Sequence, residues 1–367
     1  MLALLFLFAT LLARADQKWS IQFQYNRDQS VLHIVDFRCP SIQRCMAAGI
    51  LEKNGKDHQG VVVLTSDGGK EWSIVEVKDL PISMYFLDDS YGWMVTDKGV
   101  WSTEESGRSW KKMEGLKKGI LRVHFLDRAH GYAIGFPKAI LETRDGGKSW
   151  TKLREADHPS SIAEDTAYEW ITFWGDHGVI LGRELPKRFD PRPIWADPSP
   201  RSRRERETTT ITLETTDGGK KWESSTNDFL GHITRLLLRK DMSALALVEY
   251  EDYYKLPSKV YELKLGSKGM LTLFAETDRA VTDLAWFPNG DAVIAAIEPP
   301  GPSNQLPIPG KLKMLHSINL KVWMEMNVDY RAVAQRAMIA APDAQNQWVA
   351  TDTGMILKLV DTATAKK

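Results

Sequence analysis

A phrase of eight residues occurs four times in this chain and constrains the fold more than any other feature. Each copy has the form Thr-x-Asp-x-Gly-x-x-Trp, with glutamate replacing aspartate in the second copy. The acidic residue and the closing tryptophan of the four copies are Asp67 and Trp72, Glu105 and Trp110, Asp145 and Trp150, and Asp217 and Trp222. The acids are 38, 40 and 72 residues apart. A period near 40 residues is typical of β-propellers, whose four-stranded blades bury their faces against one another.

Strand-like runs within each repeat support this architecture. In the second repeat, runs begin at Ile82, Trp93, Val100 and Trp110, with polar or glycine-containing turns between them. After the fourth phrase the same spacing continues, and the last repeat contains three runs. Residues 19–25 form an unused run at the other end of the chain. The sequence therefore predicts an all-β, seven-bladed β-propeller closed by an N-terminal strand, which removes an open sheet edge.

The first fifteen residues predict a signal peptide. Residues 2–12 form an apolar run that is too short to span a bilayer, and Ala13, Arg14 and Ala15 form an A-x-A cleavage site. The absence of lysine or arginine before the run leaves an uncleaved anchor as an alternative. We expect residues 16–367 to form one propeller domain that is exported to the periplasm or the extracellular space.

Two cysteines, Cys39 and Cys45, are the only ones in the chain. In an exported protein, such a pair favours a local disulfide over a metal or redox site. The bond would join the ends of the first two strands of the first blade. Two free thiols are the alternative.

The repeated phrase has a structural interpretation. An aspartate can accept hydrogen bonds from the backbone of its own turn, paired glycines allow positive φ, and the tryptophan can pack on a neighbouring strand. We therefore predict that the eight acidic and tryptophan residues of the four phrases form turns, and we assign no catalytic residue.

These residues carry a resemblance to known proteins. The phrase resembles the Asp-box, or BNR repeat, of sialidases, sortilin-like receptors, xyloglucan hydrolases and photosystem II assembly-factor propellers. The whole repeat is most similar to the last family over residues 60–226, where residues 86–88 precede Gly92 and Trp93 and residues 125–127 precede Gly131 and Tyr132. The resemblance implies a non-enzymatic propeller that helps to assemble a membrane complex.

A secreted glycoside hydrolase is the competing interpretation. A sialidase-like site needs arginines around a carboxylate and a tyrosine beside a glutamate. The acidic and aromatic stretch at residues 249–254 offers candidates, although we favour a solvated loop between two strands of the fifth blade. A carbohydrate-binding propeller without catalysis is a third interpretation.

Other functional classes find little support in the sequence. Lysine plus arginine and aspartate plus glutamate both number 48, so no basic excess favours nucleic acid. The sequence has no Gly-rich phosphate-binding loop and no metal-ligand spacing among its eight histidines. We predict no cofactor, no metal and no nucleotide.

An insertion at residues 184–207 is the best local candidate for partner binding. It contains five prolines, which exclude an interior strand. Its candidate partner-binding residues are Arg188, Arg192, Trp195, Arg201, Arg203 and Arg204. Arginines and an aromatic anchor can dock an acidic protein surface, whereas a disordered loop is the alternative. We expect a monomer that binds a protein partner such as a membrane-complex subunit.

Overall fold

A computed structural model of the protein describes residues 17–27, 29–116, 118–157, 160–184, 207–250, 256–267, 269–298 and 309–361. These residues form strands and two short 3-10 helices, η1 (Arg154–Asp157) and η2 (Ala163–Asp165). The chain divides into two compact units: unit 1 comprises residues 1–76 and 278–367, and unit 2 comprises residues 77–277. In the described ranges, no helix has the length and apolar character needed to cross a membrane.

Unit 1 holds two sheets. Sheet 1 contains β2 (Ser30–Arg38), β3 (Cys45–Lys53), β4 (Asp57–Thr65) and β5 (Ser73–Val77) in chain order. The other sheet has nine strands: β1 (Gln17–Gln24), β22 (Ala280–Trp286), β23 (Ala292–Glu298), β24 (Gly310–Ser317), β25 (Met324–Val328), β26 (Val333–Ala334), β27 (Ala337–Ala340), β28 (Trp348–Thr351) and β29 (Met355–Asp361).

The N-terminal strand completes the sheet of the last three strands, as the sequence predicts. Strand β1 runs antiparallel to β29, from the pair Gln17 and Asp361 to the pair Gln24 and Met355. A short parallel pairing of β1 with β25 then joins this group to β22–β25, which creates the nine-stranded sheet. Because the two groups share one sheet, the number of seven blades stays a prediction.

Unit 2 contains four sheets of four strands each, and in every one the strands follow chain order. Sheet 2 contains β6 (Pro81–Phe86), β7 (Gly92–Thr96), β8 (Gly99–Thr103) and β9 (Lys111–Lys112). Sheet 3 contains β10 (Ile120–Phe125), β11 (Gly131–Gly135), β12 (Ala139–Thr143) and β13 (Thr151–Lys152). Sheet 4 contains β14 (Thr166–Trp174), β15 (His177–Glu184), β16 (Glu207–Thr215) and β17 (Glu223–Leu230). Sheet 5 contains β18 (His232–Leu238), β19 (Ser243–Glu249), β20 (Ser258–Lys264) and β21 (Met270–Phe274).

Apolar side chains fill the spaces between the sheets of each unit. In unit 1, Trp19 and Trp348 are fully buried and belong to two separate apolar clusters. In unit 2, the ring of Trp93 stacks on that of Phe125, with centroids 3.7 Å apart and planes 3° apart. Burial of such large rings supplies much of the stability of a β-protein, because free energy scales with the apolar area removed from water.

Cys39 and Cys45 form a disulfide in this structure, with a Cα–Cα distance of 4.1 Å. Cys39 follows β2 and Cys45 begins β3, so the bond joins the ends of the first two strands of sheet 1. Such a short loop gains only about 2 kcal/mol from cross-linking in the chain-entropy account.

Candidate functional site

The four repeated phrases form nearly identical turns. In each turn, the hydroxyl of the threonine accepts a hydrogen bond from the backbone N–H four residues later. These bonds measure 3.0 Å at Gly69, 3.1 Å at Gly107, 2.8 Å at Gly147 and 3.0 Å at Gly219. The threonine thereby fixes the turn that joins the third strand of its sheet to the fourth.

The aspartates of three phrases accept hydrogen bonds inside the turn. The N–H of Glu71 bonds Asp67 at 3.1 Å, and the N–H of Lys221 bonds Asp217 at 3.0 Å. These backbone bonds are the largest cause that lowers the pKa of each aspartate, and the neighbouring threonine hydroxyl lowers it further. The carboxylates therefore serve as turn acceptors.

The third aspartate is held most strongly. The Ser149 hydroxyl donates to Asp145 Oδ2 at 2.6 Å, and the Ser149 N–H donates to Oδ1 at 2.9 Å. These bonds, followed by that of Thr143, lower the pKa of Asp145 to about 2. In the second phrase, the carboxylate of Glu105 accepts a hydrogen bond from the Ser109 hydroxyl at 2.7 Å.

The tryptophans of the phrases divide into two pairs. The indole N–H of Trp110 donates to the Gly107 carbonyl at 3.0 Å, and that of Trp150 donates to the Gly147 carbonyl at 3.1 Å. The indole N–H groups of Trp72 and Trp222 make no such bond to the described residues, and all four rings pack edge-on against an aromatic ring of their own unit. The partner of Trp72 is Trp348 at 5.8 Å, and the nearest partner of Trp222 is Tyr132 at 5.6 Å.

The second glycine of two phrases allows an aromatic ring to approach the backbone. A Cβ at Gly69 would lie 2.1 Å from the Trp348 ring, and one at Gly219 would lie 1.9 Å from the Tyr132 hydroxyl. Both glycines also have positive φ, at +90° and +86°. Only glycine meets both requirements without strain.

The candidate residues of the insertion lie outside the described residues, which end at Glu184 and resume at Glu207. Of the acidic and aromatic stretch at residues 249–254, the structure describes Glu249 and Tyr250. Glu249 accepts a 2.7 Å bond from the Thr234 hydroxyl, and the Tyr250 hydroxyl lies 3.2 Å from that of Tyr261.

A tyrosine and a glutamate do meet in sheet 3, but their environment opposes catalysis. The Tyr132 hydroxyl donates to Glu142 at 3.3 Å, and Arg144 and His130 also contact that carboxylate at 2.6 and 2.8 Å. Tyr132 is fully buried, and its burial, followed by the charge of Glu142, raises its pKa. A tyrosine with a raised pKa is a poor nucleophile.

The first strands of six β-strand groups contain a β-bulge at the same place. In each of β2, β6, β10, β14, β18 and β22, one residue three to five positions before the end of the strand has no partner on the second strand. The extra residues are Val35, Ile82, Leu121, Glu169, Thr234 and Thr282. A bulge leaves the backbone of its extra residue outside the regular ladder and redirects the next side chain.

In unit 2, side chains of neighbouring first strands bond these free backbone groups. The Ser83 hydroxyl donates to the Leu121 carbonyl at 2.7 Å, and Arg122 Nε donates to the Glu169 carbonyl at 2.8 Å. Arg235 Nη1 bonds the Thr234 carbonyl of its own strand at 2.9 Å. The bulges therefore link one sheet of unit 2 to the next.

The two arginines that make these bonds also lie beside one tryptophan ring. The guanidinium of Arg122 lies 4.7 Å from the ring centroid of Trp170, and that of Arg235 lies 4.9 Å from it. The indole N–H of Trp170 donates to the Leu236 carbonyl at 3.0 Å, which fixes the ring. We call Arg122, Trp170 and Arg235 the Trp170 cluster. All three residues come directly after a bulge.

The Trp170 cluster places two positive charges beside one ring. Two acids near it accept hydrogen bonds: Glu169 from Arg183 at 2.8 Å, and Glu249 from the Thr234 hydroxyl at 2.7 Å. Guanidinium groups recognise carboxylates through paired hydrogen bonds, and partial burial strengthens the attraction. The Trp170 cluster is not predictable from the sequence, since nothing in the spacing of the three residues marks them as neighbours. A sequence signal for these residues does exist, because polar side chains interrupt the apolar runs of the first strands.

Unit 1 uses the same bulge differently. The residues after its bulges in β2 and β22 are Asp36 and Asp283. Each carboxylate accepts the N–H of the next residue at 2.9 Å, and Asp283 also accepts the N–H of Ile339 at 2.9 Å. These acids bond the backbone of their own unit, so the arginine-rich form of the bulge belongs to unit 2.

Comparison with known proteins confirms the resemblance to Asp-box propellers of the photosystem II assembly-factor type. A family model described as Photosynthesis system II assembly factor YCF48 matches residues 112–186. Photosystem II assembly lipoprotein Ycf48 of Synechococcus sp. (strain CC9902) is 26% identical over 168 residues, which cover 41% of this chain and 50% of that protein. Vacuolar protein sorting/targeting protein 10 of Laccaria bicolor is 26% identical over 102 residues, 26% of this chain and 7% of that protein. The chain thus spans half the length, or less, of these curated relatives.

Solved structures support the fold over nearly the whole chain. A structure of YCF48 bound to D1 peptide has a TM-score of 0.60 at 16% identity and covers 93% of this chain and 94% of that one. YCF48 from Cyanidioschyzon merolae has a TM-score of 0.57 at 15% identity and covers 93% of this chain and 98% of that one. The chain therefore has the β-propeller fold that the repeats predict.

The contact between Gly219 and Tyr132 gives a stability prediction. In Gly219→Ala, the new methyl group would meet the Tyr132 hydroxyl, so we expect a loss of about 2 to 4 kcal/mol from overpacking and positive-φ strain. Gly175→Ala is the matched control, because Gly175 has φ +56° and no atom within 4 Å of its Cβ position. It should lose only about 1 kcal/mol in denaturant unfolding. Adding Tyr132→Phe to Gly219→Ala should restore part of the loss, and equal losses in the two alanine variants would contradict the contact.

The hydrogen bonds of Asp145 give a pH prediction. Because its folded pKa of about 2 lies below the ordinary value of 3.8, the stabilisation by Asp145 is present above that value and disappears as the pH falls through about 2. The stability difference between wild type and Asp145→Asn should therefore shrink between about pH 5 and pH 2. Ser149→Ala removes the largest cause and should move this loss to higher pH. A difference that stays constant with pH would refute the assignment.

Proposed function

We propose that this protein is a non-enzymatic scaffold that binds a protein partner through the Trp170 cluster of unit 2. This proposal rests on the two guanidinium groups that lie 4.7 and 4.9 Å from the centroid of one buried indole ring. The partner segment would carry acidic side chains or a free C-terminal carboxylate. Arginine forks pair with carboxylates, and rigid aromatic residues are common anchors at protein interfaces.

Relatives support a partner of this kind. One solved relative is YCF48 with a bound D1 peptide, and two curated relatives, matched along about half of their own length, are lipoproteins of photosystem II assembly. The family-model match over residues 112–186 includes Arg122, Trp170 and Arg183. We propose that this chain likewise assists a membrane complex, without assigning it to photosynthesis.

We also propose that the chain is exported and acts as a monomer. The signal-peptide pattern at residues 1–15 and the lipoprotein relatives support export to the periplasm or the extracellular space. The insertion, with Arg188, Arg192, Trp195, Arg201, Arg203 and Arg204, is proposed as a second contact for the same partner. The four turns of the repeated phrase are proposed to be structural.

The glycoside hydrolase alternative has less support from the described site. Among the residues described around Trp170, Glu169 is bonded by Arg183 and Glu249 by Thr234. Hydrolysis of a glycoside needs two carboxyl groups that face the same bond, one of which donates a proton. Acids that are bonded to their own neighbours do not offer this arrangement.

A pull-down from solubilised envelope tests the proposal. Residues 16–367 are compared with the double variant Arg122→Ala/Arg235→Ala and with Arg108→Ala/Arg154→Ala, which removes two exposed arginines of the same unit outside the cluster. We expect the cluster variant to recover the partner at least about tenfold less than wild type, since a lost hydrogen-bonded charge pair costs about 2 kcal/mol or more. Arg122→Lys/Arg235→Lys should bind at an intermediate level, because lysine keeps the charge without the fork.

Two results would contradict the proposal. Equal recovery by the cluster variant and the control, with both folded by circular dichroism, would exclude the Trp170 cluster as the contact. Turnover of a sialoside or xyloglucan by the wild type would move the assignment to the hydrolase. A further variant that lacks residues 185–206 measures how much the insertion contributes to recovery of the partner.

A further inference from the structure

A cavity of about 630 Å³ opens in unit 1, far in sequence from the Trp170 cluster. Its apolar side is formed by Leu51, Val61 and Ile74 on β3, β4 and β5, and by Phe23 near the end of β1. Known small-molecule sites have volumes of about 300 to 1,000 Å³. The cavity is therefore large enough for a ligand of one or two rings.

The connection that borders the cavity is shorter than the one that follows sheet 3. In unit 2, the longer connection between β13 and β14 contains η1 and buries Leu153 and Ala156, and the Tyr168 hydroxyl bonds the Ala156 carbonyl at 3.0 Å. The connection from β1 to β2 has only five residues, 25–29. Its described residues, 25–27 and 29, contain no aliphatic side chain that could fill the same space.

Aromatic rings form one wall of the cavity. Phe23, Tyr25 and Trp72 all line it, and the rings of Phe23 and Trp72 lie 5.9 Å apart with planes at 48°. The Tyr25 hydroxyl lies 2.8 Å from the Ser30 hydroxyl, within hydrogen-bond distance, and its backbone N–H donates to the Gly354 carbonyl at 3.0 Å. These bonds hold the Tyr25 ring in place before any ligand arrives.

Polar groups of both charges form another part of the lining. The polar side chains that line the cavity include Arg27, Gln29, Lys53, Asn54, Ser73 and Glu76. Lys53 lies 3.8 Å from Glu76, so these two charges offset each other. Together the side chains offer several hydrogen-bond donors and acceptors without a strong field of one sign. Such a wall suits a neutral ligand with many hydroxyl groups better than an ion.

The turn that carries part of this wall is fixed by the backbone. Asn54 and Gly55 have φ of 53° and 68° between β3 and β4, and the Asn54 N–H donates to the Gln29 carbonyl at 2.9 Å. The two polar segments are thereby tied together. A preformed site loses little conformational entropy when a ligand binds.

From this combination we propose that the cavity of unit 1 binds a carbohydrate of one or two sugar rings. The apolar C–H face of a sugar would pack on Tyr25 and Trp72, since aromatic side chains give large, rigid contact areas. The hydroxyl groups would bond Arg27, Asn54 and Glu76, which offer both donors and acceptors. This activity is separate from the proposed protein contact of unit 2 and involves binding only, without cleavage.

Calorimetric titration tests the proposal on residues 16–367. The probes are the methyl glycosides of glucose, galactose, mannose and N-acetylglucosamine, and the disaccharides cellobiose and xylobiose. We expect at least one probe to bind saturably. Ser73→Trp fills the cavity, and Tyr25→Ala removes the aromatic wall, so each should weaken that binding at least about tenfold.

Each variant has a matched control. Thr151→Trp places the same ring after the tryptophan of the third phrase, outside the cavity, and Tyr330→Ala removes an exposed tyrosine of unit 1. Both should bind the sugar as wild type does. The proposal is overturned if no probe binds saturably, or if Ser73→Trp and Tyr25→Ala, shown to be folded, keep full affinity. Displacement of the sugar by the protein partner's peptide would instead identify the cavity as part of the protein contact.

Discussion

Backbone carbonyl groups that β-bulges leave outside the strand ladder are the constraint on which unit 2 depends. A buried carbonyl needs a hydrogen-bond donor, and an extra residue in a strand has no partner on the adjacent strand. The structure supplies the donor from the neighbouring sheet: Ser83 bonds Leu121, and Arg122 bonds Glu169. The bulge thus fixes how sheets 2, 3 and 4 meet. Two of the residues that follow a bulge, Arg122 and Arg235, place their guanidinium groups beside the ring of Trp170.

The repeated phrase acts in sheets 1 to 4, between the third and fourth strands. Its threonine bonds the backbone of the turn in all four copies, and its aspartate does so in three. In two copies the second glycine leaves room for a ring. Tyr132 shows how the turn of the phrase affects the packing of a side chain. Because Gly219 has no side chain, Tyr132 can bury its ring against Trp222, and this burial raises the pKa of its hydroxyl. One contact therefore stabilises the packing and favours the protonated form of the Tyr132 hydroxyl.

Much of the fold was predictable because it follows from local patterns. Period-2 apolar runs and the turns between them gave strands close to those observed, and the unpaired N-terminal run predicted the pairing of β1 with β29. The bulges were not predictable, because a bulge depends on the register of two strands. The Trp170 cluster was missed for the same reason: Arg122, Trp170 and Arg235 lie on three different sheets. The cavity beside Tyr25 is lined by residues of five strands and their connections, which no single segment reveals.

Photo-cross-linking from the bulge of β10 tests the central claim most directly. A p-benzoylphenylalanine residue replaces Leu121, which is partly exposed beside Arg122, and the protein is irradiated in solubilised envelope. A matched variant carries the same residue at Leu271, an exposed position on β21 away from the bulges. The account predicts a cross-link from position 121 to an acidic or C-terminal segment of a partner, and none to that segment from position 271. Equal cross-linking from both positions, or a cross-link only from position 271, would contradict it.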